Sequence, residues 1–211
     1  MRLLENIDAL NPFWKEQDCM ANGKRKMWRV VVPVVVLCLA AVGETMAQQP
    51  LLSPRDSTEI VISGKTISVN YGRPSMRKRK IMGELVPFNV VWRTGANEAT
   101  AFVTEADLQI GGVKLPAGSY TLYTLPSQKQ WKLIINKQTG QWGTVYDAHL
   151  DFARVNLKKK TLKNPVEKFL ISFKRNGSAG GIMVLEWENT SLSISFKVLS
   201  TRKSSSSKSI M

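Results

Sequence analysis

Cysteine is nearly absent from this 211-residue chain, occurring only as Cys19 and Cys38. Neither lies beyond residue 47, so everything after that point lacks a disulfide, a thiolate nucleophile and a cysteine metal site. Histidine occurs once, as His149. That excludes the paired imidazoles of His-Glu-x-x-His and leaves any Ser-His-Asp arrangement resting on one residue. There is no Gly-x-Ser-x-Gly elbow and no phosphate-cradling glycine loop. Acidic residues are scarce, 16 against 30 Lys and Arg, for a net charge of +14. The longest apolar run, Val30 to Gly43, has 14 residues and is interrupted by Pro33, short of the ~20 that a spanning helix needs.

What is present at the N-terminal end reads as a secretory leader. Lys24-Arg25-Lys26 and Arg29 form a positive region ahead of the apolar run, and Thr45-Met46-Ala47 offers small residues before Gln48-Gln49-Pro50. The expected signal peptide spans 24–47, with an uncleaved signal anchor as the alternative. Cys38 follows Leu37 inside the apolar run, not a small residue at its end, which argues against a lipoprotein. Residues 1–23 precede the leader. They read as an upstream extension outside the translated protein, or as a short amphipathic helix through Leu3, Leu4, Ile7, Leu10, Phe13 and Trp14. The expectation is a periplasmic or secreted protein with no stable transmembrane span after cleavage.

From Gln48 onward there are 24 Lys and Arg and 11 Asp and Glu, a net charge of +13. This balance favours anionic partners without choosing one. The runs Arg77 to Lys80 and Lys158 to Lys160 read as solvated surface.

Residues 48–54 read as a linker and 55–199 as the folded domain, followed by a Ser- and Lys-rich tail over 200–211. Within the domain the apolar period is two. Glu59 to Ile62 and Thr66 to Tyr71 read as a hairpin about Ser63-Gly64-Lys65, and Leu108 to Ile110 and Val113 to Leu115 as another about Gly111-Gly112. Short β segments are expected at Leu85-Val86-Pro87 and Val90 to Arg93. Further strands are expected at Glu98 to Thr104, Tyr120 to Leu125, Trp131 to Asn136, Arg154 to Leu157, Phe169 to Phe173, Met183 to Trp187 and Leu192 to Phe196. Some ten strands with frequent turn signals predict an all-β, antiparallel sandwich, jelly-roll or immunoglobulin-like, in one domain.

Several segments are distinctive together: Tyr71-Gly72-Arg73-Pro74, Arg79-Lys80-Ile81-Met82-Gly83, Leu85-Val86-Pro87-Phe88 and Val91-Trp92-Arg93-Thr94-Gly95-Ala96-Asn97-Glu98-Ala99-Thr100. With Leu115 to Leu122 and Gln141-Trp142-Gly143, they resemble an uncharacterised bacterial family, domain of unknown function twenty-nine eleven, found in secreted proteins of Bacteroidota. The resemblance covers roughly Ser53 to Val198. Lys78 stands where members often have Gly, and Met82 where they often have Phe. The resemblance implies a secreted β-rich domain and brings no activity.

The segment richest in chemistry is Trp92 to Glu98, where a guanidinium, an amide and a carboxylate surround a glycine turn. Arg73 and Arg93 would fork onto a carboxylate, sulfate or phosphate. Trp92 or Trp142 would stack on a sugar ring, and Asn97 and Glu98 would fix hydroxyls. The architectural alternative pairs Arg93 with Glu98 to lock the turn, with Asn97 in the left-handed region. Asp147, His149 and Asp151 would share a face if extended, but the segment lacks strand character and reads as a surface loop, so no metal is expected. No nucleic-acid motif accompanies the basic runs, and no cofactor is implied. The expected function is a non-catalytic envelope module for a glycan or anionic group through Arg73, Trp92, Arg93, Asn97, Glu98 and Trp142. The alternatives are a hydrolase pairing Glu98 with Glu186 or Glu188, and a purely structural domain.

Overall fold

The computed structural model describes residues 52–200. The leader, the segment before it and the tail from residue 201 lie outside the described residues. Ten strands form two antiparallel sheets. The first has six strands in the order β1-β2-β3-β6-β7-β8: Arg55–Ile62, Lys65–Gly72, Thr100–Thr104, Gly118–Leu125, Lys132–Asn136 and Asp151–Asn156. The second has the order β5-β4-β10-β9: Val113–Leu115, Leu108–Ile110, Gly180–Val198 and Lys158–Arg175. The described residues thus make the expected all-β sandwich. Among them no helix is long and apolar enough to cross a membrane.

Two meanders, β1-β2-β3 and β6-β7-β8, join through β3 and β6 into the larger sheet. Both expected hairpins form. Ile62 pairs with Lys65 across Ser63 and Gly64, and both turn residues have positive φ, at 53° and 72°. Ile110 pairs with Val113 across Gly111 and Gly112, at 56° and 88°. Two positive φ angles are what a tight turn between twisted strands requires.

The core follows the period of two. Ile67, Val69 and Tyr71 of β2, Leu133 and Ile135 of β7, and Met183, Leu185 and Trp187 of β10 are buried together. Tyr71, Trp92, Phe169 and Trp187 make its aromatic centre. Trp92 stacks on Trp187 at 5.7 Å and 19°, and Phe169 meets Trp92 edge-on at 5.1 Å.

The strand expectations need three corrections. Met183 to Trp187 and Leu192 to Phe196 belong to one strand, β10, with irregular register between Glu186 and Thr190. Glu188 takes φ 52° there, and the inward set changes from odd residues (183, 185, 187) to even ones (192, 194, 196). A bulge shifts the phase without ending the strand. Phe169 to Phe173 is the buried part of the much longer β9, whose first half, including Pro165, is mostly exposed. Proline is tolerated because β9 is an edge strand. Finally, Leu85 to Arg93 forms no strand: Val86 and Trp92 make only isolated bridges, to Met82 and Thr124.

Candidate functional site

Three of the distinctive segments meet at one place, and their glycines are the reason. Ala96 N–H donates to Gly72 O at 3.2 Å, and Gly143 N–H donates to Asn97 O at 2.9 Å. A Cβ on Gly72 would stand 2.0 Å from Ala96 O. One on Gly143 would stand 2.6 Å from Asn97 O and 2.7 Å from Arg93 Cδ. Only a backbone without a side chain permits this seam. Beneath it Thr100 Oγ1 donates to Thr94 O at 2.8 Å, and Thr94 Oγ1 lies 3.2 Å from Thr124 Oγ1. These threonines are buried, so the network is what makes their hydroxyls tolerable there.

A cleft of 680 Å³ opens beside the seam, with Arg79, Trp92, Arg93, Asn97, Tyr123 and Tyr146 among its walls. It contains no Asp or Glu among its lining residues. Arg93 Nε donates to Gly95 O at 3.2 Å. Neither terminal nitrogen of Arg93 has a protein acceptor among the described residues. Arg79 donates through Nε to Met76 O at 3.0 Å and through Nη2 to Ser75 O at 2.9 Å, so its position is fixed while its charge is uncompensated. Leu52, Leu85 and Val90, all exposed, form an apolar rim.

The anticipated Arg93–Glu98 pair does not form. Glu98 is exposed and pairs with Arg55 at 3.0 Å. Its own backbone N–H, and then the Arg55 guanidinium, hold its carboxyl below the ordinary range. Asn97 does occupy the left-handed region, at φ 62°, and its Nδ2 donates to Ser53 O at 3.2 Å. Arg73 lies outside this cleft, in a neighbouring one of 460 Å³, where Nη1 pairs with Asp56 at 3.2 Å and Nε donates to Phe169 O at 3.0 Å. Trp142 bridges Glu98 through the backbone and is 51% exposed, outside both linings.

The sequence reading missed Arg79, Tyr123 and Tyr146. Arg79 sits inside a basic run that looked like solvated surface. The tyrosines reach the cleft because residues 138–147 fold over the outer face of β6. Tyr123 Oη donates to Val145 O at 2.8 Å, and Asn136 Nδ2 donates to Asp147 O at 2.8 Å. Tyr146 Oη donates to Asp151 at 2.7 Å and accepts from Arg154 at 2.8 Å. Asp151 is thus engaged, and Asp147 accepts from the His149 backbone in the 3-10 turn Ala148–Leu150. The other two carboxylates named from sequence also have partners. Glu186 accepts from Ser191 at 2.9 Å, and Glu188 from the backbone N–H groups of Ile81 and Met82.

All four tyrosines are pushed above their ordinary value. Burial is the first cause for Tyr71, Tyr120 and Tyr123. Burial, then the hydrogen bond to Asp151, takes Tyr146 to about 12. The fold therefore favours the neutral phenol. Its contribution to stability is complete below the free-tyrosine value of about 10 and is lost as pH rises through 10 toward 12. Titration at 295 nm with parallel circular dichroism should show tyrosinate forming above 10, with unfolding following it. Four normal titrations near 10 in a still-native protein would contradict this.

A family model described as Protein of unknown function (DUF2911) matches residues 53–196. No curated protein and no solved structure matches the chain.

Proposed function

The chain belongs to the protein family of unknown function DUF2911, and we propose that it is a non-catalytic binding module whose cleft takes an anionic group carried on a sugar. One observation carries the reading: Arg79 and Arg93 line a cleft that has no carboxylate among its lining residues. A guanidinium fork matches two oxygens of a carboxylate or sulfate at once. Gly95 O holds Arg93 Nε, and Gly143 lies against its stem, so little side-chain freedom remains to be lost on binding. Trp92 and Tyr146, both part-exposed, add aromatic wall for the body of a ring, with the buried Tyr123 packed edge-on behind Tyr146 at 4.8 Å. A carboxylate hydrolase needs two acids facing one bond, whereas Glu98, Glu186 and Glu188 are each engaged outside this lining. The leader read over residues 24–47 supports a place in the bacterial envelope.

The test is thermal shift and calorimetry of the full-length protein with galacturonate, a sulfated hexose and glucose. The two acids should bind and glucose should not. Arg93→Gln removes a charge-assisted contact worth about 1.5–3 kcal/mol, so Kd should rise by about 10- to 100-fold with circular dichroism unchanged. Acid-sugar binding indifferent to that substitution would remove Arg93 from the site.

A further inference from the structure

The two clefts are one cationic surface divided by a strap. Leu52 lines both, Ser53 lines the larger, and Pro54 the smaller. Three hydrogen bonds from site residues hold the strap: Arg77 Nη2 to Leu52 O at 2.8 Å, Asn97 Nδ2 to Ser53 O at 3.2 Å and Arg73 N–H to Pro54 O at 2.9 Å. The segment Arg73 to Arg79 serves both sides. Arg73, Ser75 and Arg77 face the smaller cleft, and Pro74 and Arg79 the larger.

The smaller cleft also carries surplus positive charge. Arg55, Arg73, Arg77 and Lys168 line it, with Asp56 as the one acid in its lining. Asp56 is engaged by Arg73, and Arg55 is engaged by Glu98. Glu167, nearby, accepts from the Arg77 backbone N–H at 2.9 Å. Lys168 Nζ has no carboxylate within salt-bridge distance among the described residues, nor has the Arg77 guanidinium, whose Nη2 alone is occupied by Leu52 O. A second anionic group therefore has two unpaired cations to meet on the far side of the strap.

We propose that the natural ligand is a linear acidic glycan that straddles the strap, placing one anionic residue on Arg79 and Arg93 and another on Arg77 and Lys168. This rests on the reading of the larger cleft given above and extends it from a single acid group to a polymer. A single-stranded nucleic acid fits less well. It gains affinity from successive aromatic platforms, and the smaller cleft has no aromatic lining residue.

Calorimetry of the full-length protein with galacturonate and its oligomers of two to six residues tests the idea. Two sites on one chain make the second contact intramolecular, so affinity should rise at least tenfold once the oligomer spans the strap. Lys168→Glu, at an exposed position that holds no part of the strap, should remove most of that gain and leave monosaccharide affinity unchanged, while Arg93→Gln should weaken the monosaccharide. Lys168→Gln, which removes the charge without reversing it, should lose a smaller part of the gain and provides the same test if the first variant is unstable. Monosaccharide binding that depends on Arg93 but gains nothing with length would overturn the straddling ligand and leave the single-acid reading intact. Oligomer binding indifferent to Arg93 and sensitive to Lys168 would overturn both assignments for the larger cleft. An oligonucleotide that displaces the glycan at equal charge concentration would overturn the glycan.

Discussion

Gly72→Ala should lower Tm by about 6–12 °C. The added Cβ would lie 2.0 Å from Ala96 O, and the atom in its way is backbone fixed by the Ala96 N–H to Gly72 O bond. Neither partner can rotate aside, so β2 and the Arg93 segment must separate. Overpacking of this kind costs about 3 kcal/mol. For a domain of this size each kcal/mol is worth about 2–4 °C. Gly177→Ala is the control, because nothing lies within 4 Å of its added Cβ and only φ +75° opposes it, at about 1–2 kcal/mol. Differential scanning calorimetry should rank Gly72→Ala well below Gly177→Ala. Equal losses would mean the seam has slack that its geometry denies.

Trp187→Ala should cost more, about 3–5 kcal/mol. The indole is 2% exposed, stacks on Trp92 and tilts against Phe169 at 5.8 Å. Its Nε1 donates to Glu167 O at 3.2 Å, so truncation removes aromatic contacts on two sides and a hydrogen bond on a third. Trp92 would lose its stacking partner, and the larger cleft would lose part of its floor. Denaturant unfolding should show the loss in midpoint, and Trp92 emission should move to the red. Trp187→Phe, which keeps a ring in the stack, should recover much of the stability without the hydrogen bond. A midpoint close to wild type together with unshifted emission would show that the aromatic centre closes over the gap.

Much of this architecture can be read from residue order because it is local. The turns at Ser63-Gly64 and Gly111-Gly112 need positive φ and contain glycine. The strands beside them alternate because one face is buried. Legibility fails where a strand has no buried face to reveal it. The first half of β9 is polar and contains Pro165, so it looks like loop although it pairs with β10. It fails again at Glu188, where a bulge shifts the phase and one strand reads as two. The site is legible only in its continuous part. Trp92, Arg93 and Asn97 lie within six residues and do share a cleft. Arg79, Tyr123 and Tyr146 join them through a basic loop and a segment lying over β6, contacts with no spacing rule in the chain. Arg73, also named from sequence, faces the other side of the Leu52–Pro54 strap, and Glu98 turns to Arg55, which precedes it by 43 residues.

The eighteen-residue β9 has a further consequence. Pro74 to Met76 cover its outer margin at Glu167 and Phe169, but from Lys158 to Val166 that margin is a row of backbone donors and acceptors with no neighbouring strand among the described residues, the template on which chains of one kind add to each other and grow into fibrils. Here Lys158, Lys159, Lys160 and Lys163 stud that margin, and Pro165 removes one of its donors. A second molecule approaching in register brings the same lysines with it, and the mutual repulsion keeps copies apart. The same surplus of positive charge thus defends the domain against its own kind, and chemical acetylation of these lysines should leave the fold intact while making concentrated solutions prone to aggregate.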